Sequence, residues 1–152
     1  MRNIILYLED EANVRKHTVE LLRDRGYNVE DFRRIDEAKE FFTTDKDDVV
    51  CIITDLNLPD EWLGKYRYES NGGLFSGWVW LQRFVYTEKP NILTIIYSGY
   101  TEDLIEWLDS KNQSPLLSKN IICVKKGAER EDGFSGLLTA LRKHLPNYKR
   151  EE

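Results

Sequence analysis

Val49-Val-Cys-Ile-Ile-Thr-Asp55 is the stretch on which the fold turns. Its first six residues are apolar or β-branched, and no polar residue alternates with them. β-Branched side chains fit a pleated, packed surface. A strand without polar alternation is buried on both faces, as in a parallel sheet covered by helices. The run ends abruptly in Asp55, followed by Leu-Asn-Leu-Pro59. Asp, Asn and Pro are common turn residues, so a plain strand-to-turn transition also accounts for Asp55 taken alone.

The same grammar extends outward. Asn3 to Leu8 is another nearly continuous apolar run, closed by Glu9-Asp10-Glu11. Val14, Thr18, Leu21 and Leu22 then fall on one helical face, and Gly26 stands where a helix C-terminus wants a left-handed residue. A second strand is expected over 27–32, a short helix over 35–42, a fourth strand over 92–97 and a fifth over 121–124. Helices are expected over 78–85, 101–108 and 134–144, the last with Phe134, Leu137, Leu138, Leu141 and Leu145 as its apolar stripe. Strands alternating with amphipathic helices predict an α/β domain with a parallel sheet. One segment breaks the rhythm. Residues 60–76 are polar, Gly-containing and aromatic, without sustained period, and exceed the usual βα loop of about 2–6 residues. Their aromatics, Trp62, Tyr66, Tyr68 and Phe75, read mainly as packing for the loop, with an exposed recognition patch as the alternative.

Composition narrows the functional classes. The chain has 152 residues, 41% hydrophobic and 32% charged, with a formal net charge of −5. Lys and Arg form no single stripe, which argues against direct nucleic-acid binding. No apolar run approaches the roughly 20 residues of a membrane span, and the N-terminal run is too short and acidic for a signal peptide. A cytoplasmic location, away from membranes, is expected. Cys51 and Cys123 sit inside apolar runs and read as small buried hydrophobes.

In open α/β sheets, sites lie beyond the carboxyl ends of the strands. Those ends carry Glu9 and Asp10, Asp55, Ser98 and Lys125. Clustered carboxylates suit a hard divalent cation such as Mg2+, which takes few carboxylates and keeps water or phosphate oxygens. A carboxylate can also attack phosphorus to form an acyl phosphate. Phosphoryl transfer then needs charge neutralisation and positioning, which an ammonium and a hydroxyl provide. Singly, Asp10 reads equally as a helix N-cap, Ser98-Gly99 as a turn and Lys125-Lys126 as a solvated pair.

Taken together, Leu6-Tyr-Leu-Glu-Asp-Glu11, Ile52-Ile-Thr-Asp-Leu-Asn-Leu-Pro59, Ser76-Gly-Trp-Val-Trp-Leu81, Ile95-Ile-Tyr-Ser-Gly99 and Ile121-Ile-Cys-Val-Lys125 resemble, in order, the signatures of response-regulator receiver domains. The resemblance spans about residues 3–145. It implies a flavodoxin-like, doubly wound five-stranded parallel sheet of order 2-1-3-4-5 with helices on both faces. It implies one receiver domain over 1–152, with an inserted loop at about 60–76 between strand 3 and helix 3. Asp55 would be the phosphoacceptor, with Ser98 as switch hydroxyl and Lys125 as counter-charge. Glu9, Asp10, Asp55 and the backbone carbonyl of Asn57 would hold Mg2+. The phosphodonor would be a sensor histidine kinase or phosphotransfer protein, and the output a downstream protein partner; a homodimer is left open. Such a chain is no enzyme beyond its own phosphorylation and dephosphorylation. With only residues 146–152 after the last helix, output is expected by protein contact. The alternative is a degenerate pseudo-receiver acting as a phosphorylation-independent scaffold. Aspartate-nucleophile phosphatases and Toprim-type enzymes need a second acid where this chain has Asn57.

The sequence departs from the receiver pattern in four places. Glu9 replaces the usual Asp. The Gly expected soon after Pro59 is delayed to Gly77. Lys126, not Pro, follows Lys125, so a trans bond is expected, since a cis non-proline bond costs about 2.5–4 kcal/mol. The position of the usual switch aromatic falls on Ile122, leaving Tyr97 and Tyr100 as nearby substitutes.

Overall fold

The computed structural model describes residues 1–126 and 130–149. Residues 127–129 and 150–152 of the expected 1–152 span lie outside the described residues. The elements run β1 (Ile4–Leu8), α1 (Ala12–Asp24), β2 (Asn28–Phe32), α2 (Ile35–Asp45), β3 (Val49–Thr54), α3 (Ser76–Trp80), β4 (Leu93–Ser98), α4 (Thr101–Ser110), β5 (Ile121–Lys125) and α5 (Arg130–His144). All strand pairs are parallel, in the order β2-β1-β3-β4-β5. The expected α/β class and strand order are both present.

Period-two alternation explains why the strands are apolar throughout. Ile4, Leu6 and Leu8 face one way, against Ile35, Ala38 and Phe42 of α2 and Leu104 and Leu108 of α4. Ile5 and Tyr7 face the other, against Val19 and Leu22 of α1 and Leu137, Leu138 and Leu141 of α5. Each strand thus feeds two cores, and each fully buried aliphatic side chain contributes ~1.5–3 kcal/mol. Cys51 packs in the second core and Cys123 is half-buried against the first, both as free thiols.

Local signals act as expected at the end of α1. Gly26 has φ +90°. Its N–H donates to the Arg23 carbonyl at 2.9 Å and the Tyr27 N–H to the Leu22 carbonyl at 3.2 Å, the paired bonds of a Schellman turn. Asp10 is not the N-cap of α1: the helix starts at Ala12 with Glu11 in that position.

The 60–76 segment is not structureless. Asp60–Glu69 winds in 3-10 turns broken at Gly64, whose φ is +59°. Asn71, Gly72 and Gly73 then take positive φ and turn the chain into α3. Leu63 and Phe75 enter the core, Phe75 lying 4.7 Å from the Trp107 ring, and Tyr66 meets Phe84 at 5.7 Å. Trp62 and Tyr66 are half-buried against the same core, whereas Tyr68 is 82% exposed. Three of the four aromatics therefore pack the insertion down. The helix expected over 78–85 begins at Ser76 and passes through a π-turn at Leu81–Val85.

Candidate functional site: a carboxylate cluster at the strand ends

β1 and β3 are neighbours, so their carboxyl ends deliver Glu9, Asp10 and Asp55 to one point. One oxygen of each of these three carboxylates lies within 4.8 Å of the others. Glu9 and Asp55 are buried and Asp10 is half-buried. Asp55 is fixed on both oxygens. The Leu56 N–H donates to Oδ1 at 2.7 Å, and the Lys126 ammonium donates to Oδ2 at 3.0 Å. The Thr54 hydroxyl donates to the Asp55 carbonyl at 2.9 Å, holding the backbone where the strand ends. Lys126 also donates to Glu9 Oε1, and Glu9 Oε2 accepts the Glu11 N–H at 3.2 Å.

The structure corrects the lysine. Lys125, expected as the counter-charge, points away: its ammonium is 3.8 Å from Glu102 of α4, and its side chain is 59% exposed. The reason is strand parity. Ile121 and Cys123 pack toward the α4 core, and Lys125 continues that face. Ile122 and Val124 pack toward the α1 and α5 core, and Lys126 continues theirs, over Tyr97. A one-residue shift along a strand changes face, and two adjacent lysines are chemically indistinguishable in sequence. Parity with Ile122 and Val124 was the signal available. The position expected for a switch aromatic moves with the lysine, from Ile122 to Cys123, and remains non-aromatic.

Electrostatics follow from two carboxylates sharing one ammonium. Burial, and then the charge of Asp55, push Glu9 up from 4.5 to about 7 against the pull of Lys126. Burial works against the charge on Lys126, but Asp55 and Glu9 outweigh it and hold its pKa above the ordinary value. Three carboxylates against one ammonium leave the cluster acidic, and a hard divalent cation fits that oxygen donor set.

Ser98 is fully buried at the end of β4, and its hydroxyl accepts the Tyr100 N–H at 3.1 Å. Asn57 is exposed and lines, with Asp10, Pro59, Asp60, Gly72 and Gly73, an open cleft of about 310 Å³ beside the carboxylates. Asp60, Gly72 and Gly73 of the 60–76 segment therefore form one wall of this cleft. Gly77 is the closest approach of α3: its N–H donates to the Leu56 carbonyl at 2.9 Å, and a Cβ there would lie 1.9 Å from the Asp55 carbonyl oxygen. A larger groove of about 450 Å³, lined by Trp78 of α3, Arg83 of the π-turn, Trp107 of α4 and Lys111 just after it, among others, includes none of the three carboxylates.

No protein-family model matches the sequence, and no curated protein matches it. Solved structures do match the fold. The receiver domain of the hybrid histidine kinase CckA is 20% identical, covering 94% of this chain and 99% of its own, with a TM-score of 0.63. A response regulator receiver domain protein from Clostridium thermocellum is 21% identical, covering 95% and 98%, with a TM-score of 0.62. The response regulator protein TrrA from Thermotoga maritima, in complex with Mg(2+)-BeF, is 21% identical, covering 93% and 97%, with a TM-score of 0.58. This chain has the receiver-domain fold across most of its length.

Proposed function

We propose that this protein is a phosphoryl-accepting signalling receiver. A carboxylate oxygen of Asp55 attacks the phosphorus of a phosphohistidine on a sensor kinase or phosphotransfer protein. The P–N bond breaks, the imidazole leaves with the bonding pair, and Asp55 carries an acyl phosphate. The observation that supports this most is the setting of Asp55: one oxygen held by Lys126, with Glu9 and Asp10 alongside. Lys126 orients the nucleophile and neutralises the incoming phosphoryl charge, the two needs of such a transfer. Glu9, Asp10, Asp55 and the Asn57 carbonyl would hold Mg2+. That ion supplies charge neutralisation at the phosphoryl oxygens. The Mg(2+)-BeF bound by TrrA supports the choice of metal. The buried Ser98 hydroxyl would turn from the Tyr100 N–H toward the modified Asp55, and this rearrangement would be read by a protein partner.

The test is Mg2+-dependent labelling by a small phosphodonor such as acetyl phosphate. Asp55→Asn is expected to abolish labelling. Undiminished labelling of that variant overturns the assignment, and a folded wild-type protein that takes no label supports a phosphorylation-independent scaffold instead.

A further inference from the structure

Lys126 carries the counter-charge to Asp55. It lies one residue beyond β5. Its bracing comes from β4. The Ser98 carbonyl accepts the Lys126 N–H at 2.9 Å. Gly99 leaves room for the Lys126 carbonyl, which would sit only 3.2 Å from a Cβ at that position. The Tyr97 ring lies under the ammonium, 5.5 Å from ring centroid to nitrogen. Tyr97 is itself 5% exposed, locked in the core between the sheet, α1 and α5. Tyr97 and Ser98 of β4, with Gly99 just after it, thus meet the lysine's backbone on both sides and its charge from below.

We propose that Tyr97 is the positioning residue for Lys126, its ring face holding the ammonium in reach of both Glu9 and Asp55. A cation over an aromatic face is attracted to the ring's negative quadrupole, and more so where water is excluded. The lysine side chain here is 22% exposed, so water competes weakly for the ammonium. Without the ring the four-carbon stem has many rotamers that carry the charge into solvent. The assignment rests on the receiver reading of the site.

The experiment is a double-mutant cycle on the rate of Asp55 labelling by acetyl phosphate with Mg2+. Tyr97→Phe, which keeps the ring, is expected to stay within about twofold of wild type, and Tyr97→Leu to slow labelling about fivefold, the scale of one such contact. In a Lys126→Met background Tyr97→Leu is expected to change nothing further. The same loss in both backgrounds, or no loss in either, overturns the proposal. Should the leucine variant fail to fold, ring-fluorinated phenylalanines at position 97 keep the shape while draining the face. A rate falling with fluorine number is then expected, and a flat series overturns the proposal. A second readout needs no phosphorylation: the Lys126 ε-methylene protons should show an upfield ring-current shift by NMR, kept in Tyr97→Phe and lost in Tyr97→Leu. Absence of that shift in wild type overturns the Tyr97 assignment whatever the labelling shows. A wild type that keeps the shift but takes no label counts against the receiver reading alone.

Discussion

At the scale of single residues, function concentrates on which lysine faces Asp55. Lys126 lies against Glu9 and Asp55, and Lys125 against Glu102 at the surface. Lys126→Ala is therefore expected to slow phosphodonor labelling tenfold or more, on the order of 1.4 kcal/mol or above in the barrier. Lys125→Ala should leave it near wild type; equal losses from both would contradict the geometry. Glu9 makes a prediction of the opposite sign from an ordinary ion-paired acid. Its folded pKa of about 7 stands above the ordinary 4.5. Below 4.5 the group is protonated in both states. Between 4.5 and 7 the unfolded chain has lost a proton that the metal-free fold retains. The stability owed to protonated Glu9 is therefore lost as pH rises through that window, by up to ~1.4 kcal/mol per pH unit. Denaturant unfolding at a series of pH values without metal should show that slope in wild type and a flatter one in Glu9→Gln.

At the scale of elements, α3 is placed by what it lacks. The start of the helix approaches the backbone of Asp55 so closely that only Gly77 fits. Gly77→Ala must move α3 or the 55–56 backbone, and a destabilisation of about 3 kcal/mol is expected, at the upper end of overpacking costs. Denaturant melts measure it, and a neutral result would mean that α3 slides freely. The insertion is equally an element, not an appendage. It contributes buried Leu63 and Phe75, and Arg83 of the π-turn grips Glu69 at its end through two hydrogen bonds of 2.9 and 2.6 Å. Cutting out residues 61–73 would remove the core side chain of Leu63 along with part of the cleft wall at Gly72 and Gly73.

At the scale of the whole molecule, the parallel sheet assembles carboxylates from chain positions 9, 10 and 55 against the single ammonium of Lys126, and the carboxylates repel one another where no metal is bound. Divalent cation binding to the folded state alone should stabilise the entire fold. Mg2+ at about 100 times its Kd is expected to add ~2.7 kcal/mol to unfolding and raise the melting temperature. Asp10→Asn should weaken the effect by removing a charged ligand. Thermal melts with and without Mg2+ check this, and a wild-type melting temperature indifferent to the metal would exclude the carboxylates as its site. No helix among the described residues is long and apolar enough to cross a membrane.

Much of this was legible along the chain. The run Val49–Thr54 announces a strand buried on both sides, and the helical spacing of Phe134, Leu137, Leu138 and Leu141 announces its cover, because burial periodicity is a property of neighbouring residues. The acids at the strand ends followed from the same reading, since a polar residue that stops an apolar strand in a parallel sheet must emerge at its rim. Three features lay beyond it. The choice of Lys126 over Lys125 depends on which core β5 faces on each side. The close approach of Gly77 to Asp55 joins segments separated by the insertion. The burial of Leu63 and Phe75 depends on a surface supplied by α3 and α4. Each is a contact between distant parts of the chain, and a local pattern holds no record of what will arrive to meet it. Asp55 illustrates the division: its place at a strand end was written in its neighbours, but the partner that holds its carboxylate was set by packing.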